Sequence, residues 1–289
     1  MQKQYLGGQA EYSGITVFNN IKKVSVTRSN DDSIKISIVN IQRNRIVNFI
    51  NKIIIIRGFS KLIDAMLIDR TNKKDRLRGT LVAILFLLIF TASPSLVRYF
   101  DHFIKNNFFM DLLEGLIRII GYLCFLTTIK HLPNIDQLLK NHAAEHMAIN
   151  AFENNKQLTV PAIRRDSKSN LRCGTNYFLI LSIIYLATFL MLPQINYSVE
   201  IELIIKILAL PFLSGIANEC LIIISRFNDK FQNKIFKPLL LLQQLTTLHP
   251  DDQHLQSAIA AIKILQSKIS TGIYKLKNYS ELDAFLYQK

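Results

Sequence analysis

Apolar residues in this chain are gathered into four long blocks, with amphipathic stretches before, between and after them. The first, residues 81–99, reads LVAILFLLIFTASPSLVRY and is nearly free of charge until Arg98, close to the ~20 residues that a bilayer crossing needs. Residues 108–129 form a second block. It carries Glu114 and Arg118 four residues apart, so the two share a helix face and partly neutralise each other. Residues 177–192, closed by Pro193, make the third. The fourth, 201–224, contains Glu219 and is interrupted by Pro211 and Gly215; such irregularity inside a membrane is tolerated where the freed backbone faces protein or a cavity.

Other stretches have shorter periods. In residues 22–40, Val24, Val26, Ile34, Ile36 and Ile38 alternate with polar positions around Ser29, Asn30, Asp31 and Asp32, which predicts a β-hairpin. Residues 47–68 are apolar at helical spacing with basic residues between, which predicts an amphipathic helix on a membrane surface or against the spans. Near the C-terminus Pro250 opens a helix whose first turn holds Asp251 and Asp252, favourable at the positive end of the helix dipole, and whose stripe is Leu255, Ile259, Ile262 and Leu265. No internal repeat or low-complexity linker interrupts the chain.

The predicted fold is therefore mainly α, a multipass membrane protein with four transmembrane helices, a small N-terminal β-hairpin region and C-terminal cytoplasmic helices. Its parts are a β-rich region (1–45), a basic amphipathic segment (46–78), spans one and two (79–129), a polar segment (130–175), spans three and four (176–226) and a helical C-terminal region (227–289).

Charge orients this arrangement. The chain has 35 Lys and Arg against 21 Asp and Glu, a net charge of +14. The basic residues lack the aromatic interleaving or recognition motif of a nucleic-acid surface, so no nucleic-acid partner is expected; beside apolar spans they report topology and attraction to anionic headgroups. Arg70, Lys73, Lys74, Arg76 and Arg78 precede the first span, whereas Arg98 and Lys105 alone lie between spans one and two. Between spans two and three basic residues are again frequent, between three and four there are none, and Arg226, Lys230, Lys234 and Lys237 follow the fourth. This alternation predicts both termini in the cytoplasm. Residues 1–20 contain no long apolar run, so no signal peptide is expected. The absence of Trp and the abundance of Ile, Asn and Lys suggest an AT-rich coding genome, and with it a bacterial cell membrane or a plastid membrane. Cys124, Cys173 and Cys220 are too few and scattered for a disulfide framework, which fits a reducing compartment.

Chemistry concentrates between spans two and three. Residues 136–153, DQLLKNHAAEHMAINAFE, are rich in helix formers and place His142 and His146 one turn apart on one face, where two imidazoles can share a metal ion. Glu145 stands where it could polarise a water beside that ion, and Glu153 lies two turns beyond His146. His142, Glu145 and His146 spell H-x-x-E-H, the motif order of inverzincin metallopeptidases, in which a distant glutamate completes the site; Glu219 would be such an acid. The plain alternative is an exposed helix with two solvated histidines, since short motifs recur by chance. Cys173 is either a thiolate ligand or structural anchor, or a loop cysteine of no consequence.

Distributed motifs carry a resemblance. Gly7, Gly8, Gln9, Ala10 and Gly14, then Arg57 with Gly58, then His142, Ala144, Glu145, His146 and Glu153 match the motifs of the YqhQ family in order. Arg172, Cys173, Gly174 and Thr175 follow, then Pro211, Gly215 and Glu219, and finally Leu245, Thr246, Thr247, Pro250 and Asp251. That family comprises bacterial membrane proteins of unknown function, predicted to be metal-dependent enzymes. The chain departs from it where Ala143 replaces a glycine, where Asn170 and Leu171 replace histidine and proline, and where the acidic residue near the start is displaced to Glu11.

Two functional classes follow. In one, His142, His146 and Glu219 hold a divalent metal, zinc by preference, and Glu145 activates water to hydrolyse a bond at the cytoplasmic membrane face, with Cys173, Glu153 and Arg172 as additional site residues. In the other the motif residues are structural, within a membrane scaffold, transport or assembly factor. Conduction along Glu114, Arg118 and Glu219 is the least supported class, because four short spans enclose a path only as a homo-oligomer. The bilayer is the expected partner, and the substrate is not legible.

Overall fold

The computed structural model describes residues 6–29, 33–41, 106–133, 135–192, 198–227 and 229–287, with the isolated positions 53, 58, 77 and 97. The amphipathic helix expected over 47–68 and the first span over 81–99 lie outside the described residues, single positions apart.

Five antiparallel strands form one sheet in the order β1 (Gly7–Glu11), β2 (Gly14–Phe18), β3 (Lys22–Arg28), β4 (Ile34–Asn40) and β5 (Gly272–Leu276). The hairpin expected over 22–40 is β3–β4, with Val24 opposite Ile38 and Val26 opposite Ile36. Because strand side chains alternate faces, this register puts Ile15, Val17, Val24, Val26, Ile36 and Ile38 on one face, and all six are buried. The C-terminal region is not wholly helical as the sequence reading has it. Residues 272–276 continue the period-two pattern, and Ile36 pairs with Tyr274 and Ile34 with Leu276. The last strand thus returns to the sheet started by the first residues.

Among the described residues, the α-helices longer than four residues are α1 (Asn107–Thr128), α2 (Ile135–Glu153), α3 (Gly174–Met191), α4 (Val199–Ile224), α5 (Asp229–Ile235), α6 (Lys237–Leu242), α7 (Asp252–Gln266) and α8 (Tyr279–Tyr287). Two apolar cores result. In one, the buried sheet face packs against α7 and the alanine-rich side of α2, including Ala144, Met147, Ala148, Leu255 and Ile262. In the other, α1, α3, α4 and α6 meet through Tyr122, Leu181, Tyr185, Leu213, Leu221 and Leu239. Among the described residues three helices, Asn107–His131, Gly174–Met191 and Glu200–Ile224, are long and apolar enough to cross a membrane. They agree with the second, third and fourth apolar blocks.

Charge inside this second core is paired. Arg118 meets Glu114 at 2.5 Å, as their spacing implies, and its guanidinium lies 4.3 Å from the centre of the Tyr185 ring. Lys206, within the fourth block, was not singled out in the sequence. Its ammonium bonds Glu114, Glu202 at 2.5 Å and Asp111 at 3.2 Å, so three carboxylates converge on a cation supplied by the chain itself. Such pairing is the condition on which buried ions are tolerated.

Ile36→Ala is expected to cost about 2–5 kcal/mol of unfolding free energy. Ile273→Ala, at a site 64% exposed on the same sheet, should stay within about 0.5 kcal/mol. Removing one partner of a buried ion pair costs about 3–5 kcal/mol, and Lys206→Met should fall at the lower end because Arg118 still faces Glu114. Adding Glu114→Gln should deepen that loss, because it removes the carboxylate that faces the buried Arg118 guanidinium. Thermal unfolding in detergent reads all four proteins.

Candidate metal centre

Most of helix α2 is buried rather than exposed, because its alanine-rich side packs against the sheet and α7. His146, Glu145 and Asn141 are all buried, which excludes two merely solvated histidines. Each imidazole is fixed by a backbone carbonyl. His142 Nδ1 lies 2.8 Å from Thr246 O, and His146 Nδ1 lies 2.6 Å from Lys168 O. A carbonyl oxygen can only accept, so each Nδ1 carries the proton and donates it. That leaves Nε2 of each ring as the atom a metal could take, the arrangement usual for metal-binding histidines.

Those ligand atoms converge on Cys173, the residue that caps α3. His142 Nε2 is 3.2 Å from the Cys173 sulfur, and ligand atoms of His142, His146 and Cys173 all lie within 4.8 Å of one another. Zinc bonds of 2.0–2.3 Å in a tetrahedron require ligand separations of about 3.3–3.6 Å, a modest contraction of the observed group. Two nitrogens and one sulfur are a zinc donor set with one position left over. Glu145 reaches to 3.9 Å from His146 Nε2 and stands beside the group.

The remaining site residues have different places. Glu219 is outside the three-ligand group, and its carboxylate accepts from the Asn218 amide at 3.0 Å. Close by, Gly58 lies so near α4 that a Cβ there would come within 2.6 Å of Gly215 Cα. Glu153 pairs with Arg172 and accepts from Leu6 N at 3.2 Å, tying the end of α2 to the start of the sheet and to the residue before Cys173. The glycine-rich N-terminal motif has a direct role: a Cβ on Gly8 would lie 2.0 Å from Glu145 Oε1, so the strand passes directly over that carboxylate.

Sequence reasoning missed the two carbonyls and what holds them. Gln243, fully buried, accepts from Asn170 N at 2.7 Å and donates to Asn170 O at 2.5 Å. Asn170 in turn donates to Asn150 on α2 at 3.0 Å. Backbone acceptors have no sequence signature, although Thr246 fell within a resembling motif.

Electrostatics follow from this packing. Burial would lower the His142 imidazole, but the Cys173 sulfur, Glu145 and the Thr246 carbonyl outweigh it and hold it at about 9. Burial would raise the Cys173 thiol, but His142 and His146 outweigh it and bring the thiol well below its usual range. Glu145 is raised, chiefly by burial, with the histidines working against the shift. The His142 value stands above 6.5, so its proton contributes stability that is fully present below pH about 6.5 and lost as pH rises through about 9. The lowered thiol contributes above its ordinary pKa and loses that contribution as pH falls through the lowered value. In metal-free protein with Cys124→Ala and Cys220→Ala, the thiolate absorbance of Cys173 should accordingly be present at neutral pH. His142→Ala should abolish it there.

A family model described as a protein of unknown function, DUF1385, matches residues 69–268, which include His142, His146 and Cys173. The uncharacterized protein YqhQ of Bacillus subtilis (strain 168) is 25% identical to the chain over 295 residues, covering 90% of this chain and 91% of YqhQ. No solved structure matches. With a match over most of its length and the YqhQ motifs in order, the chain belongs to the DUF1385 family, as a relative of YqhQ.

Proposed function

We propose that this chain is a four-span membrane protein, with both ends cytoplasmic, that holds a divalent metal between His142, His146 and Cys173 and hydrolyses a bond at the inner membrane face. One observation carries the metal reading: both histidines donate Nδ1–H to backbone carbonyls and turn Nε2 toward one buried sulfur. Zinc suits the nitrogen and sulfur donors, and Cys173 replaces Glu219 as third ligand. The alternation of basic segments supports the orientation, and the apolar stretch 81–99 supports a fourth crossing.

His142, His146 and Cys173 would hold the zinc, which when bound would supply Lewis acidity for acidifying water and polarising the bond to be cleaved. Glu145 accepts the proton of the attacking water and returns it to the leaving group; burial raises its pKa toward the range useful for both steps. Gly8 keeps the space above that carboxylate free of side chain, and the Arg172–Glu153 pair braces the backbone that presents Cys173. The depth of the group favours a second reading, a structural ion that ties α2 to α3 without catalysis.

Purified protein should carry about one ion per chain, read by elemental mass spectrometry, because a site of this kind binds far more tightly than free histidine. His142→Ala, His146→Ala and Cys173→Ser should each lose it, whereas Glu219→Gln should keep it. Equal metal in the wild type and the three ligand variants would remove the reading. Glu145→Gln should retain the ion yet lower hydrolysis of a fluorogenic acyl ester by on the order of 10²–10⁴-fold; unchanged turnover would leave the structural ion.

A further inference from the structure

Past the end of α4 the chain does not turn into a soluble surface. Phe227, Phe231, Ile235 and Leu241 are 43%, 39%, 50% and 46% exposed, although α5 and α6 lie beyond the last candidate span. Three rings form a cluster: Phe227 and Phe231 have centres 4.7 Å apart, and Phe236 lies 6.3 Å from Phe231. Arg226, Lys234 and Lys237, all exposed, are interleaved with them. Exposed apolar side chains alternating with basic ones, directly continuous with a span, make a surface that lies in a headgroup layer carrying negative charge.

The same elbow holds the metal site's supports. Ser169 Oγ donates to Leu240 O on α6 at 3.2 Å, and the Gln243–Asn170 pair begins one residue after α6 ends. Lys168 and Thr246, whose carbonyls orient the two imidazoles, flank these contacts in sequence. Hydrogen bonds thus link α6 and the residue after it to the segments that carry both acceptors.

We propose that the α5–α6 elbow binds anionic phospholipid at the inner leaflet, and that this binding tightens the metal site by setting the Lys168 and Thr246 carbonyls. The coupling rests on the metal reading above; the lipid site does not. Since the chain has no tryptophan, Phe231→Trp gives a background-free reporter in the full-length protein. In phosphatidylcholine nanodiscs it should be quenched more by a minor fraction of brominated phosphatidylglycerol than by the same fraction of brominated phosphatidylcholine. Lys234→Glu with Lys237→Glu should reduce that preference by on the order of fivefold or more, since each basic residue near a charged surface counts. Equal quenching by the two lipids, or a preference unchanged in the double variant, would overturn the lipid site. Zinc affinity, measured against a chelator, should be about fivefold or more tighter with phosphatidylglycerol present. Equal affinity would overturn the coupling, and no zinc binding in either lipid would overturn both it and the metal reading while the quenching result still decides the lipid site.

Discussion

The structure turns on two hydrogen bonds, from His142 Nδ1 to Thr246 O and from His146 Nδ1 to Lys168 O. Each joins α2 to a different segment of chain, one following α6 and one preceding α3. Without them two imidazoles packed beside the sheet core would lose the acceptors that fix their rings, and their buried N–H groups would be left unsatisfied. With them, Nε2 of each ring is set beside Cys173, and the cost of burying polar groups is offset by specific partners. The supporting amides, Gln243 with Asn170 and Asn170 with Asn150, belong to the same constraint.

Position in the fold gives those bonds their meaning. The sheet draws strands from both ends of the chain, so the N-terminal strand, α2, α7 and β5 close around one core while the long helices close around another. Cys173 stands at the start of α3, and Thr246 stands after α6, where the second core ends. The candidate site is thus built where the two cores meet. Deeper in the second core, Lys206 and Arg118 neutralise acids that the apolar surroundings could not otherwise hold.

Much of this was legible in the chain. Period-two alternation over 22–40 and apolar length over the later three blocks were strong signals, because each depends on local spacing alone. The short strands β1 and β2 were not, since Gly7, Gly8 and Gly14 weaken the pattern that marks a strand. β5 was hidden because its five residues make sense only beside β4. The H-x-x-E-H spacing placed the two histidines on one face, but the sulfur beside them is set by tertiary contact. Glu219 was the natural acid on motif order, whereas Cys173 is the residue brought to His142. Lys206 was missed because a single lysine hardly alters the hydropathy of a long apolar block.

X-ray absorption at the zinc edge tests the central claim most directly, because it reads the ligand atoms themselves. The account predicts a first shell of two imidazole nitrogens at about 2.0–2.1 Å and one sulfur at about 2.3 Å, with a light atom completing it. Cys173→Ser should remove the sulfur contribution. A zinc shell made only of nitrogen and oxygen in the wild-type protein would contradict the account, since the sulfur is where the two fixed imidazoles point.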